Sequence, residues 1–237
     1  MKKSVSIQMT SGVFAATLAL TGCGGGGSSG DGAAPVDVPF AMRAAQLNLQ
    51  TTAISRAVTA TLSNGTVVTL EISRQPGSAS AFPKNGVSGS TVVATARLKV
   101  LDQESSDVFT AWFNAADATL IGSFIDDGTC SVSTRTTALP VTAHVGDRVE
   151  ADQSTIYASC SAGASVYGSS TTTWSLEADA GRTFLCSSVV ERDVVDGGAV
   201  SASGSECNEI SALGALGAAM RYTMIIPGSQ NVVFKNY

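Results

Sequence analysis

The sequence predicts an all-β domain, an antiparallel sandwich or barrel of about 10 to 12 short strands holding two disulfides. Composition is the first reason. Of 237 residues, 44% are hydrophobic but only 14% are charged, against a charged share of about 25% in ordinary globular chains. Ser, Thr, Ala, Gly and Val crowd the chain and Lys is scarce after residue 3. That mix suits a pleated sheet and lacks the usual filler of exposed helix faces. The second reason is a succession of short runs that alternate apolar and polar residues between turn signals. The third is a set of four well-spaced cysteines, Cys130, Cys160, Cys186 and Cys207.

Taken in order, Pro39 to Gln50 fits either one short helix or an opening strand. Val58, Ala60 and Leu62 then alternate with Thr59, Thr61 and Ser63, Asn64-Gly65 marks a turn, and Val68, Leu70 and Ile72 alternate on the return. This is a hairpin. A two-residue loop would place Val58 opposite Glu71 and set the apolar faces at odds. A three-residue loop, Ser63-Asn64-Gly65 with Gly65 left-handed, instead pairs Val58 with Leu70 and Ala60 with Val68, so the three-residue form is expected.

Val92, Ala94, Ala96, Leu98 and Val100 alternate with Thr95, Arg97 and Lys99, a strand with one wet face. An acidic turn over Asp102 to Asp107 leads into a strand from Val108 to Phe113. The strands expected next are Leu120 to Ile125, Cys130 to Thr136, Val141 to Val145, Thr155 to Cys160, Thr171 to Ala178, Thr183 to Glu191, Ala199 to Ile210, Met220 to Ile226 and Val232 to Asn236. Asp126-Asp127-Gly128, Gly146-Asp147, Asp196-Gly197-Gly198 and Pro227-Gly228 punctuate them. Only Ala212 to Ala219 reads as helical.

In an oxidising compartment the four cysteines read as two disulfides, with three connectivities open; sequential pairing of Cys130 with Cys160 and Cys186 with Cys207 is the expectation. Each loop would constrain the unfolded chain by roughly 3 kcal/mol.

Few residues offer chemistry. His144 is the only histidine, and no Gly-x-Ser-x-Gly elbow accompanies it, so a triad has little to stand on. Its place opposite the apolar residues of Val141 to Val145 predicts an exposed strand position. Acidic residues cluster at Asp102 to Asp107, at Asp126-Asp127 and at Asp193 to Asp196, but without the spacing of a calcium loop. No Cys-x-x-Cys or His-x-x-x-His pair suggests zinc or haem. No catalytic, metal or cofactor residue is assigned. Phe109, Trp112 and Phe113 share one strand and Trp174 lies on another; such aromatics fill cores unless a closed barrel with an interior cavity gives them another use.

The N-terminus differs from the rest. Met1-Lys2-Lys3 precedes an apolar run from Val13 to Leu20 that is too short to span a bilayer. It ends in Leu20-Thr21-Gly22-Cys23, which resembles the lipobox of bacterial lipoproteins. That resemblance covers the first 23 residues only. It implies diacylglyceryl transfer to the Cys23 thiol, cleavage before Cys23, and an anchor in the cell envelope. Gly24 after the cysteine resembles outer-membrane sorting. Residues 1–22 are then a signal peptide. Residues 23–34 are the lipidated cysteine with a Gly/Ser-rich tether, whose nine small residues reach on the order of 15 to 20 Å. Residues 35–237 make a single β-rich domain.

The formal net charge of −5 becomes −7 once Lys2 and Lys3 leave with the leader. Without a basic stripe, nucleic acid is excluded as a partner, and the bilayer is met only through acylated Cys23. The expected function is therefore a membrane-anchored envelope lipoprotein whose β-domain has a non-enzymatic structural or interaction role. The alternative is a binding module for a small apolar ligand or lipid, marked by an interior cavity of at least ~300 Å³ lined by Trp112, Phe109 or Trp174. A hydrolase using Ser and acidic residues without histidine is a further alternative, for which paired carboxylates about 5 to 10 Å apart in a cleft would be the revealing geometry.

Overall fold

The computed structural model describes residues 38–194, 197–225 and 231–237. The expected signal peptide, Cys23 and the expected tether lie outside the described residues, as do Asp196 and the turn expected at Pro227-Gly228. One helix, α1 (Met42–Thr51), precedes twelve strands: β1 (Ile54–Thr61), β2 (Val67–Ala81), β3 (Ser88–Val100), β4 (Gln103–Phe113), β5 (Leu120–Ile125), β6 (Cys130–Thr136), β7 (Arg148–Tyr157), β8 (Val166–Asp179), β9 (Arg182–Asp193), β10 (Val200–Ile210), β11 (Leu216–Ile225) and β12 (Asn231–Lys235). Each strand pairs antiparallel with the next, and β1 closes on β12. The result is an up-and-down barrel with no free sheet edge.

Registers fix which side chains face inward. Val58 lies opposite Leu70 and Ala60 opposite Val68, with Gly65 at φ +83°. The three-residue loop is the one present: the Leu62 amide donates to the Thr66 carbonyl at 2.8 Å. From this hairpin the inward set continues through Leu98, Met220, Val232 and Phe234, which fill the interior beside β1, β2, β11 and β12. Outward positions carry Thr95, Arg97 and Lys99 on β3 and Thr69, Glu71 and Ser73 on β2. Lys99 Nζ meets Glu71 there at 2.7 Å. On these two strands the outer face is polar and charged, unlike the apolar girdle of a lipid-embedded barrel.

Helix α1 closes one end. Its buried positions, Met42, Ala45, Gln46 and Leu49, follow the i, i+3, i+4, i+7 spacing of a single face. The three apolar ones pack on Leu139, Ala143, Leu176, Leu185 and Ile210. Polar clamps hold the helix there: Arg43 Nε donates to the Leu139 carbonyl at 2.7 Å and Asn48 Nδ2 to that of Gly214 at 2.9 Å. Gly214, at φ +81°, has no room for a side chain, since a Cβ would lie 2.8 Å from the Ala41 carbonyl oxygen. The open reading of Pro39 to Gln50 resolves to a helix because it must cap a barrel mouth.

Three expectations are corrected. Val141 to Val145 is not a strand; it contributes one bridge, Ala143 to Phe40, and belongs to the plug. Ala212 to Ala219 is not helical, because Ser211 to Ala215 is a tight turn and Leu216 begins β11. The local Ala and Leu favour helix, but pairing with β10 and β12 supplies more hydrogen bonds than an isolated two-turn helix could retain. The acidic stretch Asp102 to Asp107 is no loop. Val100 pairs with Gln103 across a tight turn at Leu101 (φ +52°), and β4 takes the remainder.

Both disulfides follow sequential pairing, Cys130 with Cys160 and Cys186 with Cys207. Both lie on the outward side of the barrel wall, with Cys130, Cys186 and Cys207 buried beneath other side chains. Cys130 is buried with Phe82 and Trp112, whose rings lie 5.1 Å apart, and Phe82 covers Gly122, where any side chain would collide with the ring. Cys186 and Cys207 face each other on adjacent strands beneath Arg221, which also pairs with Glu177 and Asp179.

Candidate functional site

Twelve strands enclose more space than the aliphatic side chains of the hairpin region can fill. The remainder is a cavity of about 270 Å³ bounded by β2 to β11 and by α1. Its walls differ in chemistry. Strands β4 and β5 supply Phe109, Ala111, Phe113, Leu120 and Ile125. Strands β6 to β9 supply Ser131, Asp152, Ser154, Ser170, Thr172, Ser187 and Glu191, with Trp174 and Ile156 among them. Gln46, Leu49 and Gln50 form the floor. Tyr167 and Thr137 line the cavity and are also exposed, Tyr167 to 43%.

A polar bridge separates this space from the filled region. Arg74 on β2 meets Glu206 on β10 at 2.6 Å across the interior. Asn208 Nδ2 donates to the same carboxylate at 2.8 Å, and Arg56 donates to Asn208 Oδ1 at 2.5 Å. Tyr222 lies opposite Glu206 in the ladder, and burial, reinforced by Glu206, pushes its phenol up to about 12.

Two carboxyl groups on the polar wall lack such company. Asp152, 5% exposed, accepts from Ser154 at 2.6 Å and is also stabilised by the Ser133 hydroxyl, while its Oδ1 meets no donor in hydrogen-bonding geometry. Burial holds its pKa above the ordinary carboxylate range. Glu191, 6% exposed, sits opposite Ser170 on β8 and Ala202 on β10. Desolvation alone pushes its carboxyl up to about 7. Gln46 is equally buried. Its amide nitrogen donates to the Ala118 carbonyl at 3.2 Å, which fixes the amide orientation and leaves Oε1 without a donor. Gln50 donates to that carbonyl too, at 3.1 Å. The accepting residue holds φ +62°, a backbone state that costs a non-glycine residue about 1 kcal/mol or more and is held here by its surroundings.

The residues singled out from sequence fall in different places. Phe109, Phe113 and Trp174 line the cavity. Trp112 does not: it points outward, with Nε1 donating to Ser80 Oγ at 2.9 Å. Asp107, read as part of a solvated loop, faces the cavity on β4. His144 is exposed, but on the loop between β6 and β7, with its amide donating to Asp147 at 2.8 Å. It is not among the cavity residues. Glu177 with Cys186 and Cys207 is the one grouping of metal-type donors among the described residues. Both sulfurs are tied in the disulfide and offer no thiolate.

Asp107, Asp152, Glu191, Gln46 and the Arg74–Glu206 pair were missed as site residues. Charged or amide residues at inward positions of alternating strands would have been the signal, but it becomes readable only when the register is known. Compared with protein-family models, curated proteins and solved structures, the chain has no match.

Proposed function

We propose that this chain is an envelope-anchored binding protein whose barrel interior holds one small, largely apolar molecule. The observation that carries the reading is the cavity inside a closed barrel, walled by Phe109, Phe113, Ile125, Ile156 and Trp174. Its 270 Å³ lies just under the ~300 Å³ at which ligand pockets begin, and is less than twice the ~150 Å³ that accommodates benzene. A ligand of about ten to twelve non-hydrogen atoms fits. The cavity favours binding over a purely structural role, because an unfilled interior forfeits dispersion contacts that a filled core would keep. The lipobox-like Leu20-Thr21-Gly22-Cys23 supplies the anchor and the tether lifts the barrel clear of the headgroups. Two disulfides agree with an oxidising compartment.

Calorimetric titration of the full mature chain with 2-naphthol tests the binding reading. Saturable one-to-one binding with Kd at or below about 100 μM, roughly −5.5 kcal/mol, is expected. Thr172→Leu or Ser187→Leu, each projecting extra carbon into the cavity, should weaken it at least tenfold. Absence of saturable binding, or binding indifferent to both substitutions, overturns the reading. Mass spectrometry of native material checks the anchor: an acylated Cys23 at a new N-terminus is expected, and an unmodified Cys23 refutes it.

A further inference from the structure

The cavity has too many acceptors. The carboxyl groups of Asp152 and Glu191 line it together with that of Glu206, and the Arg74 guanidinium that lines it too is already engaged by Glu206. Two acceptor atoms, Gln46 Oε1 and Asp152 Oδ1, are buried without a donor in hydrogen-bonding geometry. Both residues are more than nine-tenths buried and both line the cavity. A buried acceptor left unpaired is costly, and water or apolar matter answers an excess of carboxylate poorly. A donor-rich cation answers it well.

Aromatic faces stand beside these acceptors. Thr172 lies opposite Asp152 across the β7–β8 ladder, and Trp174 is the next inward residue along β8. The indole is thus a diagonal neighbour of the Asp152 carboxyl, at a spacing of about 7 to 8 Å between backbones. Carboxylate beside an indole face is the pairing that holds ammonium groups, by ion pairing on one side and the ring quadrupole on the other.

Resting on the binding reading above, we propose that the ligand is a small organic amine, its protonated nitrogen held by the Asp152 carboxylate and its apolar body lying against Trp174, Phe109 and Phe113, with Glu191 and Gln46 adding to the acceptor-rich lining. A neutral molecule of the same shape would leave the acceptors unanswered. An anion would be repelled.

Ionisation tunes the attraction. The titratable groups sharing the cavity with Glu191 are Asp107, Asp152, Glu206, Arg74, Tyr167 and Tyr222. With the Glu191 carboxyl titrating near 7, amine affinity is higher at pH 8, where it is charged, than at pH 5.5, where it is neutral.

Three probes of similar size decide the matter: 2-phenylethylamine, its isostere 2-phenylethanol, and phenylacetate, each titrated into the full mature chain by calorimetry at pH 8. The amine should bind about tenfold more tightly than the alcohol, with phenylacetate weakest. In the Asp152→Asn/Glu191→Gln double variant the preference of amine over alcohol should fall below about threefold, and a preference that stays near tenfold overturns the inference. The single Glu191→Gln variant should keep part of it and lose its dependence on pH. If the alcohol or phenylacetate binds as tightly as the amine, the inference fails while the binding barrel stands. If neither these probes nor 2-naphthol binds, both readings fall.

Discussion

Two regions of one barrel obey different rules. Around β1, β2, β11 and β12 the inward residues are Val58, Leu70, Met220, Val232 and Phe234, each almost fully buried and packed on its neighbours. From β4 to β9 the inward residues mix aromatic, aliphatic, acidic and small hydroxyl side chains, and the interior stays hollow. The Arg74–Glu206 pair stands at the border, joining β2 to β10. The contrast teaches that closure and filling are separable. Backbone pairing completes the ring, while the size of the inward side chains decides which arc becomes core and which becomes site.

The largest effect that tests this contrast is a truncation on the filled side. Phe234→Ala should lower unfolding free energy by about 3 to 5 kcal/mol in denaturant titration, because a fully buried ring leaves a void among packed neighbours. The matching change on the hollow side, Phe109→Ala, should cost only about 1 kcal/mol, since that ring already borders empty space. Equal costs would break the division between the two regions.

The border comes next. Arg74→Met leaves Glu206 with Asn208 as its remaining partner in the interior, and should destabilise by about 3 kcal/mol. Adding Glu206→Leu should recover most of that loss, since a buried pair replaced by apolar groups of similar volume is often tolerated. If the double variant is no better than the single one, the bridge has a structural role beyond mutual neutralisation.

A smaller effect belongs to the polar wall. Folding raises the Glu191 carboxyl from an ordinary 4.5 to about 7, so the unfolded chain binds fewer protons than the native one across that interval. Stability is then greatest below pH 4.5 as far as this group is concerned, and declines as pH rises to about 7, by on the order of 2 kcal/mol. Glu191→Gln should flatten that decline and stabilise the protein at pH 8. A Tm profile between pH 4.5 and 8 that is unchanged by the substitution removes Glu191 from the buried polar wall.

The same contrast explains what could be read without coordinates. The β1–β2 hairpin was legible down to its loop length, because Val58, Ala60, Val68 and Leu70 face a dry interior and alternate cleanly with Thr and Ser on the wet side. On β6 to β8 the code fails. Ser131, Ser154, Ser170 and Thr172 face inward as polar residues while Cys130, Val132 and Tyr157 face outward beneath the Phe82 lid, so alternation no longer distinguishes inside from outside. Asp107 was misread for that reason: beside a hollow interior, a carboxylate can be an inward strand residue. His144 was correctly expected to be exposed, yet on the wrong kind of element, since its apolar neighbours pack under a helix and not in a sheet.

The amino-acid sequence determined by itself the all-β class, most strand positions and the first hairpin register, since these rest on local periodicity and turn residues; it favoured the disulfide pairing, which the structure then settled. Only the tertiary structure decided that the sheet closes, that α1 stoppers one mouth, and that Gln46, Asp107, Asp152, Glu191 and Trp174 line one space. Their shared surroundings depend on how strands far apart in sequence curve around a common interior, and no local pattern encodes that.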